Sequence, residues 1–182
     1  EALRKIVPAV REIRLPREKV FREEVRSISV DGNVTSIKDS REYVGNRVAF
    51  DMSQAQGVPA SLAGEGTLLT LGVLSALAGP TRPRHVLVDD IDMRLHPKAQ
   101  GEFVAMVRSV MSSSTRPLQF IGTTHSPFFI QHLSANEAIA VAVNANESIA
   151  LSLAEHPDYE KWKNTMGVGE FWSFAGETWL KR

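Results

Sequence analysis

The chain has 182 residues, 43% hydrophobic and 23% charged, which is enough to bury a core in one domain or slightly more. Its 21 basic and 21 acidic side chains cancel, so no global charge draws it to nucleic acid or to an acidic membrane surface. The absence of Cys excludes disulfides and thiolate metal sites, and no apolar run reaches the ~18 residues of a membrane span.

The opening, Glu-Ala-Leu-Arg-Lys, carries no initiating Met and reads as the interior of a longer protein. No signal peptide is visible, and a Cys-free chain fits the cytoplasm. Over residues 1–19, Leu3, Ile6, Val7, Val10 and Ile13 follow a helical spacing that Pro8 interrupts. "EEVRSISVDGNVTSI" alternates apolar and polar residues around Asp31-Gly32-Asn33, which predicts two strands and a turn. "RVAFDM" is another short strand, with Asp51 near its end. "GVPASLAGEG" reads as loop. Thr67 to Gly79 is densely apolar and stops at Gly-Pro, which predicts a buried helix with Leu68, Leu69, Leu71, Val73 and Leu74 in the core.

"HVLVD" is a short continuous apolar strand of the type found inside parallel sheets. "PKAQGEFVAMVRSVM" is an amphipathic helix with Pro97 in its first turn. "LQFIG" is a second buried strand, followed by "TTHSPFFIQHL", which turns into a short helix capped by Ser126 and Pro127. "AIAVAV" and "SIALSL" form a strand pair around "NANE". The tail holds all three Trp residues and predicts a helix and a packed end, with Phe171, Trp172 and Trp179 as core. A docking surface for a partner is the alternative for those aromatics. His85, His132 and His156 read as surface or packing residues.

Alternating strands and helices imply an α/β fold with a mostly parallel sheet flanked by helices. Ligands of such sheets bind at the carboxyl ends of the strands. Two strand ends here are chemically loaded: Asp89-Asp90 after one, Thr123-Thr124-His125 after the next. Adjacent carboxylates repel without a cation between them, and Mg²⁺ takes oxygen ligands of this kind. Asp89 suits the metal, and Asp90 suits polarising a water aimed at phosphorus. Taken alone, the pair serves equally well as a turn cap.

"VLVDDIDMRLHP" resembles the Walker B and D-loop segment of ABC-type ATPases, in the branch with Leu-His-Pro that includes the overcoming-lysogenization-defect nucleases and bacterial defence ATPases. That family reads apolar strand, Asp-Glu-Pro-Glu, two residues, Leu-His-Pro. Here the spacing is kept, with Asp90 for Glu and Ile91 for Pro. Asp90 is shorter by one C–C bond, about 1.5 Å, and a misplacement of ~1 Å can cost ~100-fold in rate, so slow hydrolysis is expected. The resemblance makes "FIGTTHSP" the H-loop, with His125 donating to the γ-phosphate, as an imidazole N–H can. "SLAGEGTLLTL" then falls at the signature motif, where Gly64, Glu65, Gly66 and Thr67 would meet the phosphate of a nucleotide held by the opposite subunit. His96 falls in the D-loop, near the dimer interface.

The resemblance covers roughly Val48 to Leu133 and implies the C-terminal half of an ATPase head. It divides the chain into 1–60, a partial N-terminal region; 61–155, the ATPase core; and 156–182, a cap or docking tail. No Gly-x-x-x-x-Gly-Lys-[Ser/Thr] occurs, so the phosphate-binding loop is expected upstream of Glu1 or on another segment, and these residues alone should not hydrolyse ATP. Implied cofactors are ATP and Mg²⁺. Implied partners are a second copy, as homodimer or higher oligomer through a nucleotide sandwich, and a separate effector such as a nuclease. Nucleic acid stays open as a ligand, and no membrane is implied. The implied function is a nucleotide-driven switch in anti-phage defence or DNA processing. The alternative is a degenerate, non-hydrolysing scaffold, and a transporter ATPase ranks third because no coupling segment is recognisable.

Overall fold

The computed structural model describes residues 1–30, 33–80, 83–114, 116–144 and 147–181. The chain divides into two compact units, Pro8–Gly64 and a second made of Glu1–Val7 with Glu65–Arg182.

In the first unit, β1 (Val10–Arg14) pairs antiparallel with β4 (Ala49–Met52), which pairs antiparallel with β5 (Val58–Pro59). Val10, Ala49 and Phe50 are buried in this small sheet. Asp51 is buried too, and it is satisfied: Arg14 forms an ion pair with it, and the Gly57 N–H donates to its Oδ1 at 2.8 Å. Gly57 has φ +63°, a turn conformation that a Cβ would penalise. The rest of the unit is a long hairpin, β2 (Arg17–Val30) with β3 (Asn33–Asn46), in unbroken register from Arg17↔Asn46 to Val30↔Asn33. Its described side chains are exposed or half-buried on both faces. The turn expected at Asp31-Gly32 lies outside the described residues.

The second unit carries the predicted βαβ core. Parallel strands β6 (His85–Val88) and β7 (Gln119–Gly122) are joined through α3 (Pro97–Ser113), with register His85↔Gln119 through Val88↔Gly122. Two more helices cover the same core, α1 (Ala2–Ile6) and α2 (Glu65–Ala78). The N-terminal helix therefore ends before Pro8, and Val10 and Ile13 belong to a strand rather than to a helical continuation. Ile6, Val73, Leu77, Ile91, Phe103, Val107 and Phe129 form the centre of this core. Phe103 and Ile91 are fully buried, each stabilising the fold by roughly 1.5–3 kcal/mol. Of the α2 residues expected inside, Val73 is buried and Leu69 and Leu74 pack against the core, whereas Leu68 is exposed. The dense apolar stretch of α2 exceeds what one helix face can bury, so part of it stays outside.

Beyond β7, Ser126 caps the short helix α4 (Pro127–Ile130) as expected. An antiparallel pair follows, β8 (Ile139–Asn144) and β9 (Glu147–Ser152); residues 145 and 146 of the expected "NANE" turn are outside the described residues. The tail forms α5 (Tyr159–Trp162), α6 (Val168–Ala175) and a 3₁₀ turn, Thr178–Lys181. Phe171 is buried as predicted, and Trp172 packs beside it. His156 is packed between Phe171 and Trp179, with ring centroids 5.0 Å away in each case. Its Nδ1 accepts from the Asp158 N–H, so it has the packing role expected of it.

Candidate functional site

Parallel pairing of β6 and β7 brings the two loaded strand ends side by side. Thr123 extends the ladder by one residue, its N–H donating to Val88 at 3.0 Å. Its hydroxyl donates to Asp89 Oδ1 at 2.5 Å and accepts from the Asp90 N–H at 2.8 Å. Its carbonyl accepts from the Ile91 N–H at 3.0 Å. One threonine thus clamps three consecutive residues of the acidic turn. Both Asp89 and Asp90 remain exposed. Asp90 has φ +49°, the left-handed region that Asp and Asn tolerate better than most residues.

The Ile91 bond accounts for a departure noted in the sequence. Proline at that position could not donate to Thr123, and Ile91 also fills the core, with Gly122 directly beneath it. The loop then closes in tight turns, Met93 N–H to Asp90 and Leu95 N–H to Asp92, both 3.1 Å. His96 ends it as the cap of α3, its Nδ1 accepting from the Lys98 N–H at 3.2 Å. His96 is exposed, so its Nε2 edge stays accessible to a partner.

A buried glutamine joins this loop to the His125 segment. Gln100 is 3% exposed. Its Nε2 donates to the Leu95 carbonyl at 3.1 Å, and its Oε1 accepts from the Ser126 hydroxyl at 2.9 Å. Ser126 Oγ accepts in turn from Phe129 N–H, and Thr124 Oγ1 accepts from Ser126 N–H. His125 sits exposed between these two anchored neighbours.

The start of α2 is tied to the same loop. Glu65 forms an ion pair with Arg94. A Cβ on Gly66 would collide with the Arg94 carbonyl oxygen, so the glycine there is needed for the close approach of two backbones. Thr70 donates to the Gly66 carbonyl at 2.7 Å, and Thr67 is buried. Gly64 is the last residue of the other unit.

Asp89, Asp90, His96, His125 and Glu65 to Thr67 therefore all belong to one compact unit. Sequence reasoning missed Thr123, Arg94 and Gln100 as the residues that hold them. The Thr-Thr pair directly after an apolar strand was a usable signal for Thr123; Gln100 and Arg94 carry no pattern of their own.

The donor set fits a hard cation. It is oxygen only, two exposed carboxylates with a hydroxyl ordering one of them, and Mg²⁺ is commonly held by one or two carboxylates with water and phosphate completing the shell. Among the described residues no helix is long and apolar enough to cross a membrane.

The unit is α/β, with two carboxylates at the end of β6 and Thr123 to His125 at the end of the parallel strand β7, the place where sheets of this kind bind ligands. Residues 2–131 match the family model described as "AAA domain, putative AbiEii toxin, Type IV TA system", and the chain belongs to that family. It is 30% identical over 64 residues to the Septu protein PtuA of Bacillus thuringiensis; the match spans 35% of this chain and 15% of that protein. A solved chain described as "Structural biochemistry of ATP-driven dimerization and DNA stimulated activation of SMC ATPases" covers 79% of this chain and 83% of its own length, with TM-score 0.47 and 13% identity.

Proposed function

We propose that the chain is the C-terminal half of an ABC-type ATPase head, a nucleotide-driven dimeric switch that works with a separate effector in anti-phage defence or DNA processing. The observation that carries this reading is the Thr123 clamp, which reaches from the end of β7 to hold the Asp89 carboxylate and the Asp90 backbone at the end of β6. In this reading Asp89 would hold Mg²⁺, which when bound would neutralise phosphate charge. Asp90 accepts a proton from the attacking water, held in place by its own clamped N–H. His125 donates to the γ-phosphate from a loop braced by Thr124 and Ser126. Positioning and charge, rather than covalent chemistry, would supply the rate.

The Walker A loop would come from another segment of the whole protein. Two features support that. β7 has only β6 as a strand neighbour among the described residues. Beside it lies an apolar groove of about 870 Å³, lined by Phe103, Val107, Phe120, Phe129, Leu133 and Ile139. A further apolar strand with its phosphate-binding loop would fill this groove and pair with the open edge of β7.

The N-terminus of α2, Glu65 to Thr67, would face the nucleotide of the opposite subunit, where free N–H groups and the helix dipole favour an anion. His96 would lie near that interface. The cytoplasm is the proposed location, in keeping with a Cys-free chain. The degenerate scaffold is the second reading, favoured by Asp90 in place of Glu.

The test is ATP turnover by the complete protein. Asp89→Asn should abolish Mg²⁺-dependent hydrolysis while leaving the melting temperature unchanged. Full activity in that variant would remove Asp89 from the site, and no turnover in the wild-type complete protein would favour the scaffold. The shared site is tested by mixing protomers. Asp90→Asn and Glu65→Lys should each be inactive alone, and the heterodimer should regain roughly half of wild-type activity if the two sites act independently. Gly66 is a poor choice for this lesion, because a side chain there strikes the Arg94 carbonyl of its own subunit.

A further inference from the structure

The β2–β3 hairpin is unusual in its isolation. Its two strands of 14 residues each pair only with one another among the described residues. A lone two-stranded ribbon is marginal in water. This one also exposes Val20, Phe21, Val25, Val34, Ile37, Tyr43 and Val44. An unpartnered ribbon of this length with that much apolar surface calls for a covering partner.

The side chains of one face indicate which partner. Four consecutive rows of directly opposed residues on that face are Val20 with Tyr43, Arg22 with Arg41, Glu24 with Asp39, and Arg26 with Ile37. The second row is doubly basic and the third doubly acidic. Like charges directly opposite one another destabilise a hairpin. Relief within the chain is weak. Arg41 reaches along its strand to Asp39 at 3.3 Å and Arg26 to Glu24 at 3.4 Å, the arginines exposed and the carboxylates half-buried, and Arg22 has no ion pair among the described residues.

We infer that this face is a self-docking surface for a second copy of the chain, independent of nucleotide. A two-fold axis midway between the second and third rows sets each Arg22–Arg41 row over the partner's Glu24–Asp39 row, twice. The same axis sets Val20 and Tyr43 over the partner's Ile37 and the aliphatic stem of Arg26, twice. Two-fold contacts require a patch that complements itself, and a basic row beside an acidic row, with Val20 and Tyr43 beyond one and Ile37 and the Arg26 stem beyond the other, meets that requirement. Sheet faces stack in this way at ≈ 10 Å separation. Four rows make a small patch, so the contact is weak and salt-sensitive.

Sedimentation equilibrium of the 182-residue chain without nucleotide, at low and high salt, tests this. The wild type should self-associate up to about 1 mM, the weak end of specific binding, with at least tenfold weaker association in high salt. The double variants Arg22→Glu with Arg41→Glu, and Glu24→Arg with Asp39→Arg, should each be monomeric, and an equimolar mixture should form heterodimers. Because four like charges could unfold the ribbon, Arg22→Gln with Arg41→Gln provides a neutral variant, in which association should weaken at least tenfold with an unchanged circular dichroism spectrum. A monomeric wild type, unchanged self-association in the neutral variant, or a mixture of folded charge variants that stays monomeric would each overturn the proposal. Duplex DNA bound through Arg22 and Arg41 by a wild type that does not self-associate would overturn it too, reassigning the face to nucleic acid. Loss of ATP turnover in the complete protein has no bearing on this readout, so the two readings fail separately.

Discussion

The hydroxyl of Thr123 donates to Asp89 at 2.5 Å and accepts from the N–H of Asp90 at 2.8 Å, so one side chain orients the Asp89 carboxylate and pins the Asp90 backbone. Thr123→Val keeps the shape and β-branching and removes only this relay. The expected cost to stability is about 1 kcal/mol, because the released groups lie at the surface and water can replace the bond. The expected cost to ATP turnover in the complete protein is larger, on the order of tenfold, because the carboxylates lose their fixed placement. Thermal melts and steady-state turnover on the same samples separate the two. Unchanged turnover would mean that the clamp serves the fold alone.

Gln100 is the buried link between the Leu95 carbonyl and the Ser126 hydroxyl. Gln100→Leu fills a similar volume but strands both partners in the core. A loss of about 1–3 kcal/mol is expected for buried groups left unsatisfied. Urea unfolding measures it. A loss smaller than ~0.5 kcal/mol, the range of a plain surface change, would show that the link carries no stability.

How much of this was legible beforehand depended on whether the signal was local. The strand "HVLV", the helix from Pro97 and the Ser126 cap could be read because periodicity and cap chemistry act within a few residues. The parallel pairing of β6 with β7 followed from the helix between them. The 14-pair hairpin was legible only near its turn, since "REKVF" and "REYVG" are too charged to read as strands. The carboxylates and His125 stood out as residue types at strand ends. What holds them did not. Gln100 meets Leu95 and Ser126, and Arg94 meets Glu65, only after the chain has folded, and neither spacing carries a period.

Glu137 gives a pH signature away from the candidate site. Its carboxyl is held below the usual carboxylate range, mainly by the Ser134 N–H, with the Ser134 hydroxyl and Arg108 adding to that and burial opposing it. Arg108 also donates to the His132 carbonyl at 2.9 Å, so the group ties α3 to the segment after α4. A carboxyl with a depressed folded pKa stabilises fully above its unfolded value and loses that stabilisation as pH falls through the folded one. Glu137→Gln should therefore melt earlier than wild type at neutral pH, with the gap closing in acid below the carboxylate range. A gap that is constant across pH would trace to packing instead.

Asp90 combines a backbone constraint with a chemical one. Its φ of +49° admits Asp, Asn and Gly with little strain, whereas a longer L-residue there costs roughly 1 kcal/mol. Asp90→Asn and Asp90→Gly should keep the wild-type melting temperature, because both fit the turn. Both should lose turnover, because neither can accept a proton. With ATP and Mg²⁺, Asp90→Asn should hold the complete protein in a nucleotide-bound dimer, visible by light scattering. Asp90→Glu tests the other side of the balance. It should melt a few degrees lower, from the left-handed strain. If reach limits the rate, it should nevertheless hydrolyse ATP faster, since the carboxylate extends by about one C–C bond. Equal turnover in wild type, Asn and Gly would make Asp90 a turn residue and nothing more. A Glu variant that is both less stable and slower would show that the turn geometry at Asp90, rather than the length of its side chain, sets the position of the carboxylate.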